Sequence, residues 1–166
     1  MFEFLKKISC CSNDTVKNNI INEKIDSSYL DNIDYNDTVQ FIPPITYGKV
    51  IKVYDGDTIT IATRLPNTTE PIYRFSVRFL GIDSPEIKGK TEKEKALAIV
   101  SRDNLEKLIM NKIVYLQNVS LEKYGRILAD VYIGNIHVNN WLLKKGYAIK
   151  YDGGKKIIPN EWLDNK

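Results

Sequence analysis

Residues 77–86, V-R-F-L-G-I-D-S-P-E, constrain the fold more than any other stretch. The run leading into them alternates. Tyr73, Phe75, Val77 and Phe79 fall on one face of an extended segment, and Arg74, Ser76 and Arg78 on the other. The alternation predicts a strand over 72–80 that buries its apolar face and projects Arg78 from the opposite one. Pro85 holds Ser84 extended and has no N–H to donate, so the strand ends there. Asp83 and Glu86 are then expected on a fixed turn at a strand end, where chemistry is often sited.

The other segments build a small barrel around this strand. Residues 49–54 and 58–63 read as two strands, with Ile59 and Ile61 on one face. Asp55-Gly56-Asp57 is the turn between them, with Gly56 free to take positive φ. Thr91-Glu92-Lys93-Glu94 reads as a capping box that opens a helix over about 92–110, with a stripe of Leu97, Val100, Leu105 and Leu108, and Asn111 ends it. Residues 113–119 and 127–133 are the fourth and fifth strands. A short helix over 137–145, with Val138, Trp141 and Leu142 inward, closes at Gly146. Five short strands with two helices predict an α+β, mainly β protein: a five-stranded OB-fold barrel with packed helices, a class that often binds nucleic acids or sugars.

The charge is uneven. Residues 1–46 carry four lysines against seven acids, a net of −3; the chain has 24 basic and 21 acidic residues, which leaves 20 against 14, or +6, for 47–166. The first segment is Asn-rich, shows no persistent period, and is expected to be mostly disordered, with a short helix near 16–25. Pro43 and Pro44 close it, so a tail over 1–46 and a domain over 47–166 are expected. A basic domain suits a polyanionic substrate, although +6 also keeps a small domain soluble. No apolar run approaches the ~18 residues of a membrane span, and Lys6 and Lys7 interrupt any secretory h-region. The chain is therefore read as intracellular, and monomer is the default for its oligomeric state. Cys10 and Cys11 are the only cysteines. Beside Lys6 and Lys7 they form a weak S-acylation signal for a membrane tether; two idle thiols in a tail is the plainer reading.

The polar residues at turns and strand ends are Asp55, Asp57, Arg78, Asp83, Ser84, Glu86, Tyr124 and Arg126. Carboxylates at Asp57 and Asp83, with a backbone carbonyl near Ser84, make an oxygen-only donor set suited to a hard cation such as Ca²⁺. Arg78 and Arg126 suit a phosphate, because a guanidinium donates two parallel hydrogen bonds and stays charged. Glu86 is left over to orient or deprotonate a water. His137 is the single histidine, which rules out two-histidine metal motifs, and there is no phosphate-cradling glycine loop.

With these residues in place, the chain from about 48 to 151 resembles the staphylococcal nuclease (thermonuclease) family. The matching motifs are V-Y-D-G-D-T at 53–58, the stretch at 77–86, K-Y-G-R at 123–126 and N-N-W-L-L-K-K-G-Y-A at 139–148, in the family's order and spacing. The resemblance implies a Ca²⁺-dependent endonuclease that hydrolyses phosphodiester bonds of DNA and RNA to 3′-phosphate ends with little sequence preference. Carried over residue by residue, it makes Asp57, Asp83 and the carbonyl of Ser84 the metal ligands. Arg78, Arg126 and Glu86 become the catalytic groups, Tyr124 lies near the nucleotide phosphate, and Asp55 is an acid behind the ligands. The family usually has threonine where Ser84 stands. Its secreted members also carry a signal peptide and end in a longer third helix. Here Gly153, Gly154 and Pro159 break the C-terminus, leaving Trp162 and Leu163 as a short plug. The competing reading is an OB-fold module that binds nucleic acid without cutting it.

Overall fold

The computed structural model describes residues 26–67, 71–154 and 157–163. The chain divides into two compact units, 1–40 and 41–166. In the first, the described residues form two single 3₁₀ turns, Ser28–Leu30 and Tyr35–Asp37, with none of their residues buried. The expected helix near 16–25, and Cys10 and Cys11, lie outside the described residues. Among the described residues no helix is long and apolar enough to cross a membrane.

The second unit is the barrel. Its strands are β1 (Tyr47–Val53), β2 (Thr58–Thr63), β3 (Tyr73–Phe79), β4 (Ile82–Asp83), β5 (Ile113–Leu121), β6 (Ile127–Ile133), β7 (Ile136–His137) and β8 (Ile149–Lys150). Helix α1 (Glu92–Ile109) follows β4, and α2 (Val138–Lys144) follows β7. The sheet runs β3-β2-β1-β5-β6, and a parallel pairing of β3 with β6 closes it. This is a five-stranded OB-fold barrel with two packed helices. Closure explains a departure from the expected pattern. Val77 and Phe79 are fully buried, but Tyr73, on the same face, is 40% exposed. β3 meets β6 only from Val77 to Phe79, so its first half lacks a neighbour on that side.

The interior is filled by alternate residues: Val50, Ile59, Ile61, Val77, Phe79, Val114, Ala129 and Val131. Each of these Val, Ile and Phe side chains contributes on the order of 1.5–3 kcal/mol by leaving water. Helix α1 packs with a face rotated from the expected stripe: Leu105 is buried and Leu108 packs against the core, as expected, but Leu97 is only half-buried. The buried residues of α1 are Glu94, Ala98, Ser101, Leu105 and Ile109, spaced by three and four, while Val100 is 45% exposed. A serine and a glutamate lie on the buried stripe because each has a partner there. Ser101 Oγ donates to the carbonyl of Tyr147 at 2.9 Å, and Glu94 accepts from the Lys90 N–H at 3.1 Å. The Thr91 hydroxyl caps the helix, accepting from the Glu94 N–H at 3.0 Å. Glu94 itself reaches back past the cap to Lys90 and Glu86, not to Thr91.

Three further details position the site. Gly56 does not take positive φ. A Cβ there would stand 2.1 Å from Ser101 Oγ and 2.8 Å from Ser84 Cβ, so glycine is required by close approach to α1 and the β4 end. Asp83 is not on a turn but in β4, paired with Ile149 of β8. Asn139, buried on α2, accepts from the Val131 N–H at 3.0 Å and donates to the Leu80 carbonyl at 2.9 Å, tying α2 to β6 and to the residue that follows β3. At the C-terminus, Trp162 is buried in a 3₁₀ turn, Asn160–Trp162, and its carbonyl accepts from Thr91 Oγ1 at 3.0 Å.

Asn139→Ala leaves two buried backbone groups without their partner. We expect it to lower unfolding free energy by on the order of 2–4 kcal/mol, read from urea denaturation. A loss below 0.5 kcal/mol, about that of a neutral surface change, would show that the amide does not hold this junction.

Candidate active site

β3 ends beside the start of β2. Thr58 is the cross-strand partner of Arg78, and the Phe79 N–H donates to the Asp57 carbonyl at 2.8 Å. Arg78 thus emerges from the barrel wall beside the Asp57 side chain. Its fork is divided between two carboxylates: Nη1 donates to Asp57 Oδ1 at 2.7 Å and Nη2 to Asp83 Oδ1 at 2.6 Å. Both acids are buried, at 2% and 4% exposure. Asp57 is held from every side. Its Oδ2 accepts from the Ser84 N–H at 2.9 Å, its Oδ1 accepts from the Thr58 hydroxyl at 3.0 Å, and its own N–H donates to Asp55 Oδ1 at 3.1 Å.

Arg126 reaches the same cluster from the β5–β6 hairpin. Its Nη1 donates to Thr58 Oγ1 at 3.5 Å, so a single hydroxyl links it to Asp57. The rest of its fork rests on Glu122, with Nε–Oε1 at 2.6 Å and Nη2–Oε2 at 2.9 Å. A groove of about 380 Å³ opens beside these groups, lined by Arg78, Leu80, Glu122, Lys123, Leu128 and Tyr151 among others. Two acids and two arginines from three separate stretches of chain therefore gather at one end of the barrel.

The family model for staphylococcal nuclease homologues matches residues 76–161, just over half of the chain. The chain belongs to this family. It is similar to an uncharacterized protein of Methanocaldococcus jannaschii, at 31% identity over 74% of this chain and 69% of that protein. It is also similar to a probable staphylococcal-like nuclease, CAN2, of Oryza sativa subsp. japonica, at 35% identity over 45% of this chain and 19% of the plant protein. An uncharacterized endonuclease of Escherichia coli is 29% identical over 64% of this chain and 61% of its own length. The chain thus spans less than two thirds of the plant and Escherichia coli relatives.

Within this nuclease homologue the remaining candidates are placed differently. Glu86 is exposed on the turn after β4; its carbonyl accepts from the Gly89 N–H at 2.8 Å, and it lines a small groove with Tyr54, Asp55 and Lys88. Tyr124 is 74% exposed at the hairpin tip, with the Lys123 ammonium 4.9 Å from its ring centroid. Ser84 turns its N–H to Asp57, and its side chain is buried against Gly56. Sequence reasoning missed three contributors. Thr58 joins Asp57 to Arg126. Glu122 holds Arg126, a pairing that four-residue spacing across a Tyr-Gly turn could have suggested. Glu94 accepts from the Glu86 N–H at 3.4 Å and anchors the loop that carries it.

The electrostatics are unbalanced. Burial pushes the Asp57 carboxyl up to about 7, and the charges of Asp55 and Asp83 push the same way against Arg78 and the Ser84 N–H. Burial pulls the Arg78 guanidinium down, but Asp57, Asp83 and Asp55 outweigh it and hold it above its ordinary value. One arginine thus does not neutralise the acids around it. A divalent cation of oxygen preference fits this surplus and these donors. Among the described residues no three His, Cys, Asp or Glu side chains converge on a cation position. The protein donors would therefore be two carboxylates completed by backbone oxygen and water.

An acid whose folded-state pKa is raised adds stability that is complete below its unfolded value near 4 and is lost as pH rises through about 7. In chelator, Asp57→Asn should therefore be more stable than the natural protein at pH 8, by on the order of 1–3 kcal/mol, with the gap closing toward pH 4. Urea midpoints at the two pH values check this. A gap independent of pH would remove the strain assigned to Asp57.

Proposed function

We propose that this chain is a Ca²⁺-dependent phosphodiesterase that cuts DNA and RNA internally and leaves 3′-phosphate ends. The observation that carries the reading is the Arg78 fork between Asp57 and Asp83, with Arg126 one hydroxyl away at Thr58. A cluster of this kind serves little purpose in a scaffold, since burying two acids and an arginine is costly unless the charges do work. The names of the plant and Escherichia coli relatives support nuclease chemistry. The donor chemistry of the acids supports the cation.

Asp57, Asp83 and the Ser84 carbonyl would hold the ion, which supplies Lewis-acid polarisation of a phosphoryl oxygen and of water. Arg78 leaves the acids for the phosphate with its fork still charged, because a guanidinium stays protonated at any working pH. Arg126 exchanges one carboxylate, Glu122, for the phosphoryl oxygens on which charge grows in the transition state. Glu122 sets the orientation from which that exchange starts. Glu86, exposed on a turn anchored by Glu94, has the access to orient or deprotonate a water. Tyr124 offers an exposed ring and hydroxyl next to Arg126.

Arg126→Ala, and Arg78→Lys, which keeps a cation beside the two buried acids, should each lower kcat on plasmid DNA and on RNA by on the order of 10²–10³, with circular dichroism unchanged. Chelator should abolish cleavage and Ca²⁺ restore it. Tight binding of nucleic acid without cleavage under any divalent ion would replace this reading with that of a binding module.

A further inference from the structure

The outer wall of the barrel carries a row of rings that the site above does not use. Tyr47 of β1 is the register partner of Tyr115 of β5, Tyr115 of Tyr132 of β6, and Tyr132 of His137 of β7. Register partners point to the same side of a sheet, so four aromatic side chains stand side by side across four strands. At 4.7–4.9 Å per strand the row is about 14 Å long. It lies outside the barrel: the adjacent Val114, Leu116 and Val131 are the ones buried, while Tyr47 and Tyr115 are 54% and 55% exposed.

The row is built, not incidental. The Tyr47 and Tyr115 centroids are 6.5 Å apart, and the Tyr132 and His137 rings stack at 4.6 Å with 11° between planes. His137 is clamped in place. Nε2 meets Asp130 Oδ1 at 3.1 Å and Nδ1 meets Asn140 Nδ2 at 2.7 Å, contacts that the Nε2–H tautomer satisfies together. Asp130 is also engaged by Asn118 Nδ2 at 2.6 Å, and Asp152 is a second acid lining the cavity that Asp130 and His137 share.

Two observations identify the occupant. The first is continuity with the active-site groove. Along the outward face of β6, Leu128 lines the groove beside Arg78, Asp130 lines a second cavity of about 580 Å³, and Tyr132 stands in the row. The two cavities share Leu80, Gly81, Ile82, Tyr151 and Asp152, and His137 lines the second one. The second is charge. Lys49 projects one row away, opposite Ile113, Arg64 shares a cavity with Tyr47, and the chain from 47 onward carries +6. Rings beside cations are what a single strand of nucleic acid uses: bases stack on the rings and phosphates meet the ammonium and guanidinium groups.

We propose that the row Tyr47–Tyr115–Tyr132–His137 is a stacking track for single-stranded polynucleotide, running from the cleavage groove across the barrel wall. The proposal rests on the nuclease reading for its occupant. The track makes the chain prefer long single strands to short ones, because only a long strand reaches both the groove and the rings.

The test measures fluorescence anisotropy of the full chain in chelator, so that nothing is cut, with labelled (dT)₁₅, (rU)₁₅ and (dT)₃. Each stacked base is worth about 1–3 kcal/mol, so Tyr115→Ala and Tyr47→Ala should each weaken both 15-mers by roughly 5–150-fold. (dT)₃ binding should stay unchanged and Tyr115→Phe should bind as the natural protein does. A weakening confined to (rU)₁₅ or to (dT)₁₅ would still support the track and name its strand. Fifteen-mer binding by Tyr115→Ala equal to the natural protein's overturns it, as does equal weakening of (dT)₃. Loss of a concentration-dependent dimer in Tyr115→Ala, with 15-mer affinity intact, would make the row a self-association face. Cleavage with an inert row leaves the nuclease standing without the track. Ring-dependent binding without cleavage in Ca²⁺ leaves the track standing without the nuclease.

Discussion

The fork of Arg78 between Asp57 and Asp83 is the interaction on which the arrangement of this protein turns. Three charged groups are withdrawn from water at the end of a strand whose other face is the barrel core. Taking ions out of water costs several kcal/mol each, and mutual attraction repays this only where geometry is good and remaining polar atoms are satisfied. Here the satisfaction is partial. Asp57 has Arg78, the Ser84 N–H and the Thr58 hydroxyl, yet its carboxyl still rises to about 7 because burial and two neighbouring acids outweigh them. The cluster therefore keeps an excess of acidic groups that its one arginine does not balance.

The fold spends its irregular features on holding that cluster. Gly81, at φ 75°, turns the chain from β3 into β4, so that Arg78 and Asp83 come back together over five residues. β8 then pairs β4 and gives Asp83 a backbone frame. Gly56 lets the Asp55–Asp57 turn lie against Ser101 of α1, and Ser101 in turn bonds the carbonyl of Tyr147. Asn139 ties α2 to Leu80 and Val131. The helices of this barrel act as braces for the strand ends at which the acids sit.

How far the sequence was legible differs between these parts. The five barrel strands and both helices follow from alternation and capping residues, and they lie within a few residues of their expected ends. The acids and arginines were recognisable as a set because their residue types and spacing match a family pattern. The inward face of α1 was read only in part: Leu105 is buried as expected, but Ala98 and Ser101 occupy the stripe where Leu97 and Val100 looked more apolar. What decided the face was a hydrogen bond from Ser101 and the tight seat of Gly56, neither of which hydrophobicity reports. β4 and β8 are two residues each, too short for any period to announce them. Gly56 was given the right importance for the wrong reason: the turn needs no positive φ, only the absence of a Cβ.

By itself the sequence determined what is local: which segments extend, where Thr91 starts a helix and Gly146 ends one, and which acids and arginines are available. These follow from neighbours within a turn or a pleat, and that information lies in adjacent letters. The tertiary structure alone decided which distant groups touch. Thr58 joins Asp57 to Arg126 across 68 residues of chain, and Tyr47 meets Tyr115 across 68 more. Those meetings depend on strand register and on closure of β3 against β6, and a barrel closes only when all its strands agree at once.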